Sequence, residues 1–178
     1  REIIKRLFSE FTDEITEDAM GNVIAHVPGD GPRLVVDAHM DEVGFMVSHI
    51  DSRGFLRVIS LGGMDPRVFY GQRILVWGKK PLVGTVAAIP PHISRNTNNK
   101  EVPEIEDCVV DLGLSAEKVN ELVGVGDVAS FYYPFEETEE AFISKAIDDR
   151  VGLFVMIEAM RKNPVQTCDL FLTATVQE

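Results

Sequence analysis

The chain has 178 residues, 45% hydrophobic and 26% charged, with a formal net charge of −12. This is a globular composition and excludes a disordered, collagenous or coiled-coil chain. Its acidity without a dense basic run excludes nucleic acid and anionic membrane as natural partners, and no apolar run reaches the ~18 residues of a membrane span.

Residues 1–11, REIIKRLFSEF, place Ile3, Ile4, Leu7, Phe8 and Phe11 at helical spacing. Asp13–Val27 reads as two short strands about Gly21-Asn22, and the turn 29–32, GDGP, leads into Arg33–Ala38. That apolar run, RLVVDA, has the pattern of a strand buried on both faces, and His39-Met40-Asp41-Glu42 follows at its C-terminal end. From about Val43 to Tyr133 the pattern becomes strand after strand: 44–50, 54–60, 72–77, 82–89, 109–112 and 128–133. One helix, Ser115–Leu122 with Ser115 as its N-cap, interrupts them, and the polar stretch Ile93–Asp107 reads as a mobile loop. Short strands with frequent turns predict a small antiparallel barrel or sandwich. After Pro134 come a short strand at 142–146, a helix at 148–162 with apolar Val151, Phe154, Val155, Ile157 and Met160, and a central strand at 169–176.

The predicted fold is therefore an α/β domain, doubly wound and partial, with an antiparallel β-barrel-like module inserted. Residues 1–44 and 136–178 form the α/β domain and 45–135 the module. Arg1 in place of Met, and a strand that stops at Glu178, read as a piece of a longer chain. The two cysteines, Cys108 and Cys168, read as reduced thiols, which places the protein in the cytoplasm.

Three constellations could carry chemistry. His39 and Asp41 stand two apart at a strand's C-terminal end, where ligands bind in open α/β sheets. A carboxylate beside an imidazole can fix its tautomer as a metal ligand, whereas the plainer reading is a solvated polar turn. Asp148-Asp149-Arg150 opens a helix; there an aspartate either caps the helix or bridges two metals, and Arg150 pairs with a carboxylate. Glu178 ends a buried strand, either as an ordinary loop carboxylate or as a general base. Local spacing alone favours the plainer reading for the first two and leaves the third open. His26, His49 and His92 read as partly buried or surface histidines.

The whole chain resembles the glutamyl/deblocking aminopeptidases, co-catalytic metallopeptidases that include the self-assembling tetrahedral aminopeptidases; some members carry an endoglucanase label. The resemblance rests on MGNVIAH (20–26), AHMDEVGFMVSHI (38–50), GFLRVISLGGMDP (54–66), QRILVWGK (72–79), VAAIPPHI (86–93), KAIDDRVG (145–152) and TATVQE (173–178), in order and spacing. It implies a metal-dependent aminopeptidase that hydrolyses the N-terminal residue of peptides with two divalent ions, zinc or cobalt. It also implies that His39 ligates one metal, Asp41 orients His39, Asp148 bridges both metals and Glu178 is the general base. A cis Asp148–Asp149 peptide is implied as well. The remaining ligands of the two-metal site are expected beyond Glu178. The implied partners are peptide substrates and copies of the same chain, with a dimer formed through the 45–135 module as the building block and a dodecamer as the larger assembly. Two alternatives remain at this point. An endoglucanase-type glycoside hydrolase would use two carboxylates in an aromatic cleft, which one Trp and three Tyr do little to furnish. The other is a non-catalytic scaffold or binding fragment.

Overall fold

A computed structural model of the chain describes residues 1–87, 104–163 and 167–177. In chain order the elements are α1 (Glu2–Phe8), β1 (Ile15–Glu17), β2 (Val23–Val27), β3 (Arg33–His39), β4 (Gly44–Ile50), β5 (Leu56–Leu61), β6 (Arg73–Trp77), β7 (Pro81–Ala87), β8 (Val109–Asp111), α2 (Ala116–Leu122), β9 (Val128–Phe131), β10 (Glu136–Glu137), β11 (Phe142–Ile143), α3 (Ile147–Lys162) and β12 (Asp169–Thr175). They fall into two compact units, Arg1–Glu42 with Glu136–Glu178, and Val43–Phe135. The α/β class and the antiparallel barrel within it are both present.

The first unit is built on a sheet of order β1-β2-β12-β3. β12 is central: it runs antiparallel to β2 and parallel to β3, with Thr175 opposite His39. Alternation along the strands sends Val23, Ala25, Ala38, Leu170, Leu172 and Ala174 to one face, where they bury against Phe8 and α3. The opposite face carries His26, Phe171, Thr173, Thr175 and His39.

Two expectations change here. β3 is not buried on both faces, since Leu34 and Val35 are 48% and 57% exposed. The reason is topological: among the described strands β3 pairs only with β12, so it is an edge. In α3 the buried stripe is Leu153, Met156, Ile157 and Met160, whereas Val151, Phe154 and Val155 are exposed. The helix is apolar around most of its circumference, so periodicity could not select the face that meets the sheet.

The start of α3 is irregular. Asp148 and Asp149 have non-helical backbone, and Ala146 has φ +58°. Asp149 Oδ1 accepts the Gly152 N–H at 3.1 Å, so Asp149 caps the regular helix. Position 152 must be glycine for this, because a Cβ there would lie 2.4 Å from Asp149 Oδ1.

The second unit is a closed barrel of order β4-β5-β8-β7-β6-β9. Alternate residues point inward, among them Phe45, Val47, Leu56, Val58, Ile74 and Val76, and Val119 of α2 joins their cluster. Phe45 packs on Phe69 and Phe131 with ring centroids 4.6 and 5.2 Å away. Ser115 stands at the N-cap of α2 but makes no side-chain cap bond. The expected loop at 93–107 lies largely outside the described residues. Its described end forms a 3-10 turn, Ile105–Asp107, whose Ile105 enters the barrel core. His49 is exposed on β4, and His92 lies outside the described residues.

His26 is more than a surface histidine. Its Nδ1 lies 2.8 Å from Glu14 Oε2 and its Nε2 2.5 Å from Asp169 Oδ1, while its ring stacks on Phe171 at 4.4 Å. Arg33 reaches the other oxygen of Asp169 at 3.3 Å. The Asp169 and Glu14 carboxylates raise the His26 pKa, and the His26 and Arg33 contacts lower that of Asp169.

Two predictions follow from these contacts. A raised histidine value stabilises the fold fully below about 6.5 and fades as pH rises through it; a lowered aspartate value stabilises above about 3.9 and fades as pH falls through it. The contribution of the His26–Asp169 pair is therefore complete between about pH 4 and 6.5. Thermal melts across pH should show His26→Phe flattening the alkaline limb of the stability profile; identical profiles would contradict this. Asp149→Ala should lower the unfolding free energy by about 0.5–2 kcal/mol in urea titrations, with Asp149→Asn retaining most of it.

Candidate metal centre

β3 ends where its parallel ladder with β12 ends. The Met40 N–H makes a final bond to the Thr175 carbonyl at 2.7 Å, and the chain then turns away. Asp41 secures the turn, its Oδ2 accepting the Gln177 N–H at 2.7 Å. Its other oxygen, Oδ1, is buried and has no hydrogen-bond partner among the described residues.

His39 is largely buried, with its side chain 17% exposed. Nδ1 lies 3.3 Å from the Asp41 carbonyl and 3.5 Å from Asp41 Oδ1. A carbonyl only accepts, so Nδ1 carries a proton in this contact, and Nε2 presents a lone pair whenever the ring is neutral. Nε2 faces Asp148 Oδ1 at 3.4 Å, across 109 positions of sequence, and the Asp148 side chain is 94% exposed. The chain thus turns two lone-pair donors, one imidazole and one carboxylate, toward each other.

Zinc–nitrogen and zinc–oxygen bonds of ~2.0–2.2 Å at tetrahedral angles set two donors of one ion about 3.4 Å apart, which is the separation found. The imidazole Nδ1 also has its acceptor behind it, as ligating histidines do. The set is partial: among the described residues no group of three or more His, Cys, Asp or Glu converges. His39 and Asp148 are a fitting pair of donors, with further ligands required.

His39, Asp41 and Asp148 are thus brought together at one end of the sheet, and Glu178 lies outside the described residues. The Asp148–Asp149 peptide is cis. The two aspartates have separate tasks: Asp149 caps α3 and Asp148 faces His39. Arg150 does not pair with a carboxylate among the described residues; its Nε donates to the Met40 carbonyl at 2.9 Å. The sequence reading also missed Lys145, which pairs with Glu42. Their signal was present, a lysine and an arginine on either side of Asp148 in KAIDDR, but no spacing rule says what either touches. A cleft of about 580 Å³, lined by Ile3, Leu7, Met40, Arg150, Leu153 and Phe154 among others, has no His, Asp or Glu in its lining.

The model of the M42 glutamyl aminopeptidase family matches residues 21–178. The lysyl aminopeptidase of Pyrococcus furiosus is 35% identical over 183 residues, covering 100% of this chain and 53% of its own length. The crystal structure of the TET aminopeptidase from the marine sediment archaeon Thaumarchaeota archaeon SCGC AB-539-E09 superposes with TM-score 0.88 at 35% identity, over 99% of this chain and 52% of that one. The TET1 peptidase of Pyrococcus horikoshii, which can assemble into a tetrahedron or a large octahedral shell, superposes with TM-score 0.81 at 34% identity, over 100% of this chain and 55% of that one. The chain spans about half the length of these relatives. With a family match over nearly all its residues, the chain belongs to the M42 glutamyl aminopeptidase family.

Proposed function

We propose that the protein is a metal-dependent aminopeptidase that removes the N-terminal residue of peptides, with His39 and Asp148 as this chain's ligands to a two-metal site. The observation that carries the reading is the 3.4 Å approach of His39 Nε2 to Asp148 Oδ1. The relatives' activities point the same way: the P. furiosus protein is a lysyl aminopeptidase and the archaeal structure an aminopeptidase. The chemistry that zinc or cobalt supplies when bound is Lewis acidity toward a carbonyl and toward water.

The residues divide the remaining work. Asp41 orients the His39 ring through its carbonyl contact to Nδ1, which directs Nε2 toward Asp148 and raises its basicity as a ligand. Asp148, outward and exposed, offers both carboxylate oxygens as donors. Glu178 is proposed as the general base, taking the proton of the attacking water and passing it to the leaving amine. The free amine of the substrate is a cation and suits this acidic end of the sheet, where Asp41, Glu42, Asp148 and Asp149 follow one another on two neighbouring segments.

The proposed assembly is a homo-oligomer with the barrel at its subunit contacts, a dimer building toward a dodecamer. The P. horikoshii relative's tetrahedral and octahedral shells support it. So does exposed apolar surface on the barrel, including Trp77, Val125 and Val128 at 48%, 67% and 45% exposure. The cytoplasm is the proposed location, on the ground that two cysteines 60 positions apart in a chain of this size read as reduced thiols. Among the described residues no helix is long and apolar enough to cross a membrane.

The test uses the full-length protein against a panel of aminoacyl-p-nitroanilides. EDTA should abolish release of p-nitroaniline, and added zinc or cobalt should restore it. His39→Ala and Asp148→Asn should each lower kcat/KM by at least about 100-fold, since even outer-shell partners cost ~10–100-fold. Activity indifferent to EDTA, or chelator-resistant cleavage of a glucan with no action on the anilides, would overturn the reading.

A further inference from the structure

His39 and Asp148 lie on segments that no strand ladder joins. His39 ends β3 and residues 40–42 follow it, while residues 145–149 enter α3 through backbone that is not helical. Asp148 therefore takes its position neither from a sheet register nor from a regular helix.

Two cationic side chains cross between the segments. Lys145, three residues before Asp148, pairs with Glu42, three residues after His39. The Lys145 and Glu42 side chains are 29% and 21% exposed, so the pair is largely shielded from water. Arg150, two residues after Asp148, donates Nε to the carbonyl of Met40, the neighbour of His39, at 2.9 Å. One cross-link thus lies on each side of Asp148. The receiving segment is anchored from behind, by Met40 N–H to Thr175 and by Asp41 to the Gln177 N–H. The sheet fixes residues 39–42, and Lys145 and Arg150 then fix Asp148 against them.

An ion pair of this kind contributes little to fold stability, because the desolvation of both charges offsets their attraction. A metal ligand is far more sensitive to placement. Ligand sets must be held within about 0.5 Å of the productive geometry, and losing an outer-shell partner typically costs ~10–100-fold in metal affinity.

We propose that Lys145–Glu42 and Arg150–Met40 are positioning contacts that hold the Asp148 carboxylate at metal-sharing distance from His39, so that Lys145 and Glu42 set the metal affinity of the centre without ligating the metal. The proposal rests on the metal-centre reading above.

The experiment measures zinc affinity of the full-length protein by competition with a chelating dye, together with the melting temperature of the metal-free protein. His39→Ala and Asp148→Asn test the underlying reading. If neither lowers affinity, the metal centre is misassigned and the positioning proposal falls with it. If both do, Lys145→Met and Glu42→Gln should each weaken zinc binding about 10–100-fold. Lys145→Arg, which keeps the cation, should stay within a few-fold of the parent. The charge exchange, Lys145→Glu with Glu42→Lys, should recover most of the affinity lost by either single change. The metal-free melting temperature should move little in Lys145→Arg and the exchange, whereas Lys145→Met and Glu42→Gln leave one charge unpaired and lower it, so affinities are compared well below every melt. Cobalt gives a second readout, since a displaced Asp148 should alter the visible absorption bands of the bound ion in Lys145→Met and not in Lys145→Arg. Unchanged affinity and spectra in Lys145→Met and Glu42→Gln, beside a loss in His39→Ala, would overturn the proposal alone. So would an affinity loss that Lys145→Arg and the exchange fail to relieve.

Discussion

The parallel pairing of β12 with β3 is the constraint on which the candidate centre depends. Parallel strands cannot be joined by a hairpin; the chain must cross over, and here α3 is the last element before the return strand. A helix that leads into a parallel strand starts at the C-terminal end of the sheet. His39 at the end of β3 and Asp148 at the start of α3 must therefore meet at that end, however much chain lies between them. The intervening barrel residues change the length of the connection and not its geometry. The same register carries Gln177 alongside Asp41, so its N–H can hold the carboxylate that backs the histidine.

The opposite end of the same strands is fastened by different chemistry. There His26 on β2, Asp169 at the start of β12 and Glu14 before β1 form a charge-assisted cluster over the Phe171 ring. It is a partly exposed arrangement whose strength depends on the protonation of its histidine. β12 thus takes part in a polar cluster at its first residue and in the candidate centre just past its last.

Period and turn chemistry made most of the fold legible. Short apolar runs bounded by turn residues, GFMVSHI and RILVW, announced barrel strands, and Phe45, Val47, Ile74 and Val76 are the inward residues. Periodicity failed where a segment is apolar on every side: RLVVDA became an edge strand, and α3 buried Leu153 and Met156 rather than Val151 and Phe154. Ile105 was hidden because a few scattered apolar residues in a polar stretch set up no period. At the centre, local spacing marked His39, Asp41 and Asp148 only as candidates and favoured a polar turn and a helix cap; the resemblance to a family carried their assignment. Which of two adjacent aspartates caps the helix was not legible, since each is an equally good cap in one dimension; a hydrogen bond to Gly152 decides it. The same holds for Lys145 and Arg150, whose partners lie more than 100 positions away. Long-range ion pairs leave no mark on local spacing.

What remains is whether a metal ion occupies the space between the two donors. Anomalous diffraction from crystals of the full-length protein grown with zinc measures this directly. The account predicts a zinc peak about 2.0–2.2 Å from both His39 Nε2 and a carboxylate oxygen of Asp148, with Asp149 and Lys145 outside the coordination sphere. A fully occupied zinc site elsewhere in the molecule, with the His39 ring turned away from Asp148 and bonded only to protein, would contradict it.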